Sequence, residues 1–150
     1  MEHKHKQLPR EDLPEVLSQL LSDGGTMPLL ITGDSMYPFL KSERDTVYLS
    51  AVTAPIRGGD MIFYRRQGGA WVLHRVIAVR DGSLCMLGDR QMTPEWGVPV
   101  SSAAAIVTAV RRNGKMLRAG HPIWFFFAKI WPKLIPLRPY LIKLYTMFNR

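Results

Sequence analysis

Six short apolar runs, set off by turn signals, constrain this chain more than any other feature. They are MPLLIT (27–32), TVYLS (46–50), MIFYRR (61–66), AWVLHRVIAV (70–79), SLCML (83–87) and AIVTAVRR (105–112). The turn signals are Arg57-Gly58-Gly59-Asp60, Gln67-Gly68-Gly69, Asp81-Gly82, Gly88-Asp89 and Asn113-Gly114. Apolar runs of this length between glycine-bearing polar clusters are strands joined by tight turns. The spacing predicts a mainly β fold, a coiled antiparallel sheet arranged as a barrel or a sandwich. A short helix is expected over 14–21, with Pro14 tolerated in its first turn and Gly24-Gly25 ending it. A chain of 150 residues makes one domain with a real core. Its organisation is expected to be an N-terminal helical extension (1–26), a β core (27–119) and a C-terminal tail (120–150).

Charge sets the tail apart. Residues 1 to 110 hold eleven Lys/Arg and twelve Asp/Glu, whereas residues 111 to 150 hold nine Lys/Arg and no acid. The net charge of +8 therefore originates in the C-terminal part. That part is also apolar, IWFFFAKIWPKLIPLRPYLIKLYTMF, with Lys129, Lys133, Arg138 and Lys143 interrupting it and Pro132, Pro136 and Pro139 breaking any long helix. No run approaches the roughly 20 apolar residues of a membrane-spanning helix. Basic and aromatic residues without acids suit an amphipathic tail lying on an anionic bilayer, so residues 121–150 are expected to contact a membrane surface. The bland alternative is a helix packed on its own domain or on a partner. Nucleic acid is not expected as a partner, because nucleic-acid-binding patches are seldom this apolar. The N-terminal MEHKHKQLPREDLPE has no apolar stretch, so neither signal peptide nor N-terminal anchor is expected. The expected location is therefore peripheral on a membrane, with the cytoplasmic side expected but not fixed by these features. With Cys85 as the lone cysteine, no internal disulfide and no cysteine-based zinc site can form. No metal and no cofactor are expected.

The chemistry concentrates in ITGDSMYPFLKSERD (31–45), which presents Ser35 in a turn between strands. A serine hydroxyl becomes a useful nucleophile only when a neighbouring base takes its proton. Alternation in WVLHRVIAV puts Val72, His74 and Val76 on one strand face, with Trp71, Leu73, Arg75 and Ile77 on the other. A lone histidine on an apolar face is more often a satisfied core residue than a base. His3 and His5 sit in a polar terminus and His121 at the start of the tail, so His74 is the candidate base. The base also needs a group to hold its tautomer. Asp34, Asp45, Asp60, Asp81, Asp89 and Glu95 are available, and spacing alone does not choose among them.

GDSMYPFL, then GGDMIFYRR, then WVLHRVIAV, then LGDRQ resembles the type I signal peptidases and the wider clan they share with LexA-like self-cleaving repressors. The family's Ser-Met-x-Pro box is matched by Ser35, Met36 and Pro38. Its Gly-Asp before a hydrophobic strand is matched by Gly59, Asp60, Met61 and Ile62. The basic residue before Arg-Val-Ile is matched by His74, Arg75, Val76 and Ile77, and the last Gly-Asp turn by Gly88 and Asp89. Each box alone is weak, but four in order across 33–90 are specific. Most bacterial relatives carry lysine where this chain has His74, so the resemblance is to the branch that works with serine, histidine and aspartate. It implies Ser35 as nucleophile, His74 as general base and Asp89 as orienting acid, with the Ser35 N–H holding the oxyanion. It also implies that Met36, Asp60, Met61 and Ile62 help to form the binding site. Some relatives place a hydroxyl two residues before the nucleophile, where this chain has Gly33. The branch carries a further acid after its last box, for which Glu95 is the counterpart here.

By resemblance, the substrate is an extended precursor or leader peptide lying along the edges of strands 27–32 and 61–66. A GDSL-type esterase shares Gly-Asp-Ser but has leucine where Met36 stands. A LexA-like repressor needs a DNA-binding module that 26 residues cannot hold, and expects lysine at position 74. The remaining rival is a non-catalytic peptide-binding or membrane-docked scaffold of the same fold.

Overall fold

Alternation carries the expected strands into the three-dimensional structure, a computed structural model that describes residues 13–149. The first twelve residues, with His3 and His5, lie outside the described part, as does Arg150. Helix α1 (Leu13–Ser22) is followed by β1 (Met27–Leu30), β2 (Thr46–Ser50), β3 (Met61–Arg65), β4 (Trp71–Arg80), β5 (Ser83–Leu87), β6 (Glu95–Pro99), β7 (Ala103–Arg112) and β8 (Lys115–Arg118). All pairings are antiparallel. The strand order is β1-β2-β7-β3-β4-β5-β6, with β8 paired to β7. The sheet is thus open, mainly β as the spacing implied, and register shifts in β2, β3 and β4 interrupt its ladder.

Two strands were invisible in the sequence. β6 reads Glu95-Trp96-Gly97-Val98-Pro99 and buries only Val98. β8 reads Lys115-Met116-Leu117-Arg118 and buries only Leu117. Short edge strands with one inward residue have no periodicity to detect. β8 instead follows from its turn, since Asn113 and Gly114 both adopt positive φ, +49° and +78°, as a tight two-residue hairpin requires.

Strand alternation divides the core. Met61 and Phe63 of β3 face a large cluster with Val47, Leu49, Val107 and Phe39. Ile62 and Tyr64 face a smaller one with Val76, Leu84, Met86 and Val98. Leu17 and Leu21 of α1 enter the large cluster, and so do Phe127 and Trp131 of the tail. The prolines divide the tail into α2 (Pro122–Phe125), a π-helical turn (Phe126–Ile130), a 3-10 stretch (Trp131–Leu137) and α3 (Arg138–Phe148). Its inner side therefore packs on the β domain. No described helix is long and apolar enough to cross a membrane.

Candidate active site

Ser35 sits in the turn-rich loop between β1 and β2, and buried groups fix that loop at both ends. Asp45 is fully buried and its carboxylate accepts hydrogen bonds from Lys41 N (2.8 Å), Arg44 Nε (2.8 Å) and Asn113 N (2.9 Å). Burial alone would push the Asp45 carboxyl up, but these donors hold it below the usual carboxylate range. Met36, Phe39 and Leu40 plug into the large cluster, and the Tyr37–Pro38 peptide is cis. Arg112 donates to the Phe39 carbonyl at 2.8 Å. On the other side the loop meets the turn after β5. Arg90 N donates to the Ser35 carbonyl at 2.9 Å. Gly88 lies so near that an added Cβ would come within 2.5 Å of the Ser35 carbonyl oxygen. Glycine is required there by space.

The turn is in turn gripped by the tail. Trp131 Nε1 donates to the Asp89 carbonyl (2.8 Å), and Arg138 Nη1 donates to the carbonyls of Gly88 (3.1 Å) and Gln91 (2.8 Å). Arg138, given to a membrane face by its charge in the sequence, is instead 1% exposed. A chain of contacts therefore runs from the tail through 88–91 to Ser35, and no local sequence pattern announces it.

Ser35 and His74 line the same cavity, of about 290 Å³, with Ile31, Thr32, Gly33, Arg66 and Trp71 among the other walls. No hydrogen bond joins the Ser35 hydroxyl to the imidazole, and among the described residues the Ser35 N–H has no acceptor. His74 is buried. Burial, reinforced by the Arg66 guanidinium, pushes its pKa down to about 4. It is consequently neutral at physiological pH, the form that accepts a proton.

The orienting group differs from the expectation. Asp89 does not bond His74. Its carboxylate is fully buried and takes a two-pronged ion pair from Arg75, Nε to Oδ1 at 2.8 Å and Nη2 to Oδ2 at 2.9 Å. Arg75 Nη1 also donates to the Gly59 carbonyl at 2.8 Å. The reason is strand alternation: Arg75 and His74 are neighbours on β4 and face opposite sides of the sheet, and Asp89 follows the arginine.

His74 Nδ1 lies 3.4 Å from the Tyr64 hydroxyl, which donates to Glu95 Oε1 at 3.5 Å. Glu95 is anchored by Arg66, Nε to Oε2 at 2.8 Å. Tyr64 has one hydroxyl hydrogen. With that hydrogen on Glu95, Nδ1 must supply its own, which leaves Nε2 as the bare nitrogen. Burial, with the charge of Glu95, pushes the Tyr64 phenol up to about 12, so it stays neutral. Both links are long for hydrogen bonds. Tyr64 was missed because diagonal pairing across β3 and β4 is visible only once Ile62 is known to oppose His74.

The remaining candidates fall as follows. Met36 is buried but touches the cavity wall. Met61 and Ile62 are core residues of the two clusters and do not line the cavity. Asp60 closes a turn, its carboxylate accepting from Arg57 N at 2.8 Å. Asp34 is exposed. Strand 61–65 has no free edge, because β4 and β7 flank it. Among the described residues the outer edge of β1 is unpaired, and so is the first half of β4, since β5 pairs only with Arg75–Arg80. Trp71 to His74 thus face the cavity across from Ile31 to Gly33. Among the described residues no cluster of His, Cys, Asp and Glu is set to hold a metal ion. Comparisons with protein-family models, with curated proteins and with solved structures return no match.

Proposed function

We propose that the protein is a serine endopeptidase that cleaves an extended peptide, with Ser35 as nucleophile and His74 as general base. The observation that carries this reading is the meeting of a loop serine and a buried, neutral imidazole in one cavity. Nε2 of His74 would take the Ser35 proton as the oxygen attacks the peptide carbonyl, and later return it to the leaving amine. The Ser35 N–H would donate to the oxyanion. Tyr64, backed by Glu95, would hold Nδ1–H and spread the charge of the imidazolium. Asp89 has a structural role, tying the turn that supports Ser35 to Arg75. The substrate would add as a strand along Trp71–His74, where backbone groups are free, opposite 31–33. The likeness of the four boxes to the signal peptidases agrees with this assignment and suggests a precursor or leader peptide.

The test is digestion of a mixed peptide pool by purified protein, read by mass spectrometry. Discrete cleavages are expected with the wild type and none with Ser35→Ala. A pool left intact by both proteins, under conditions where the fold is verified, would favour the non-catalytic scaffold.

A further inference from the structure

Helix α3 carries apolar residues in two directions. Leu141, Ile142 and Tyr145 turn inward and are partly covered. Tyr140, Leu144, Met147 and Phe148 fall at i, i+4, i+7 and i+8, which is one helical face, and all four are exposed, Tyr140 at 74% and Phe148 at 78%. A surface helix ordinarily shows water a polar face; this one shows a second apolar stripe beside the exposed Lys143. Next to it lies a groove of about 480 Å³ lined by Arg90, Pro139, Ile142, Lys143, Thr146 and Met147. Two cations thus stand over an apolar floor. Arg90 is placed by stacking 5.6 Å from the centre of the Tyr37 ring.

We infer that this face docks on the surface of an anionic lipid bilayer. Tyr140, Leu144, Met147 and Phe148 enter the interface, while Arg90 and Lys143 meet lipid phosphates. Charge selects the occupant. Arg90 and Lys143 flank this face and residues 111–150 hold no acid, so a second copy of the same face would set like charges together, whereas anionic lipid supplies the opposite sign. Aromatic and aliphatic tips flanked by lysines are the chemistry of interfacial binding. The inference does not rest on peptidase activity. It adds a location to it, because Tyr37 and Thr146 share a 2.9 Å hydroxyl contact that keeps the Ser35 loop beside the docked helix.

The full chain would be sedimented with vesicles of phosphatidylcholine alone and of phosphatidylcholine with one-third phosphatidylglycerol. Binding is expected to the anionic vesicles only, and to weaken in high salt. Leu144→Ser/Met147→Ser/Phe148→Ser and Arg90→Glu/Lys143→Glu change exposed positions. Each is expected to lower partitioning more than about tenfold, given roughly fivefold per basic residue near such a surface. If the serine variant fails to fold by circular dichroism, the charge-reversal variant decides. Wild-type partitioning by the folded variants would overturn the inference. So would a wild type that ignores anionic vesicles, including one whose stripe proves to hold a dimer that the serine substitutions dissolve.

Discussion

At the scale of single residues, the site turns on which groups His74 and Asp89 touch. Tyr64→Phe removes the acceptor for Nδ1–H and leaves the strand packing in place. Loss of one hydrogen bond to a group that becomes charged in the reaction costs about 1.5–3 kcal/mol. The expected result is a fall in kcat of roughly 10- to 100-fold with KM little changed, measured on any peptide the wild type cleaves. Asp89→Ala acts differently. It leaves the buried Arg75 guanidinium without its counter-charge, which costs about 3–5 kcal/mol of stability. Urea denaturation should register that loss. If Asp89→Ala kept full stability but lost activity, the orienting role would return to Asp89.

At the scale of elements, the turn after β5 and the tail behave as one support for the Ser35 loop. Gly88→Ala would drive a methyl group against the Ser35 backbone, so the loop must move. Activity should drop by far more than stability, because a displacement near 1 Å at the reacting atom costs about a hundredfold in rate. Truncation at Gly120 removes Phe127 and Trp131 from the large cluster. The expected product is insoluble or unfolded, as the full chain under the same expression would show by contrast. The strands β1 to β5 and β7 and the helix α1 were legible because alternation and glycine turns specify them locally. The edge strands β6 and β8 were not, each having one buried side chain. Within the cavity, the pairing of Ser35 with His74 was legible from the resemblance of the four boxes, while the contact of Tyr64 with His74 was not. Which group meets His74 depends on the strand faces and on register, and Asp89 lies on the side of Arg75. The inward turn of Arg138 was hidden for a similar reason: a basic residue in an apolar segment looks alike whether its partners are lipid phosphates or backbone carbonyls.

At the scale of the whole molecule, the buried imidazole links acid stability to catalysis. The folded pKa of His74, about 4, lies below the value of about 6.5 for an unfolded histidine. Unfolding therefore takes up a proton throughout that window. Stability is complete above pH about 6.5 and is lost as pH falls toward about 4. Between pH 7 and pH 5 the loss attributable to His74 should be about 2 kcal/mol, seen as the part of the pH dependence that His74→Ala removes. On the proposed mechanism, the same depressed pKa should set the acid limb of kcat/KM near pH 4 to 5 rather than near 6.5. The central claim, that His74 activates Ser35 for attack on a peptide bond, is tested most directly by one measurement. It is the cleavage rate of a single identified peptide by wild type, Ser35→Ala and His74→Ala at pH 7, each shown to be folded. Both variants should lose activity by several orders of magnitude, as removal of a nucleophile or its base does. Wild-type rate in either folded variant would contradict the account.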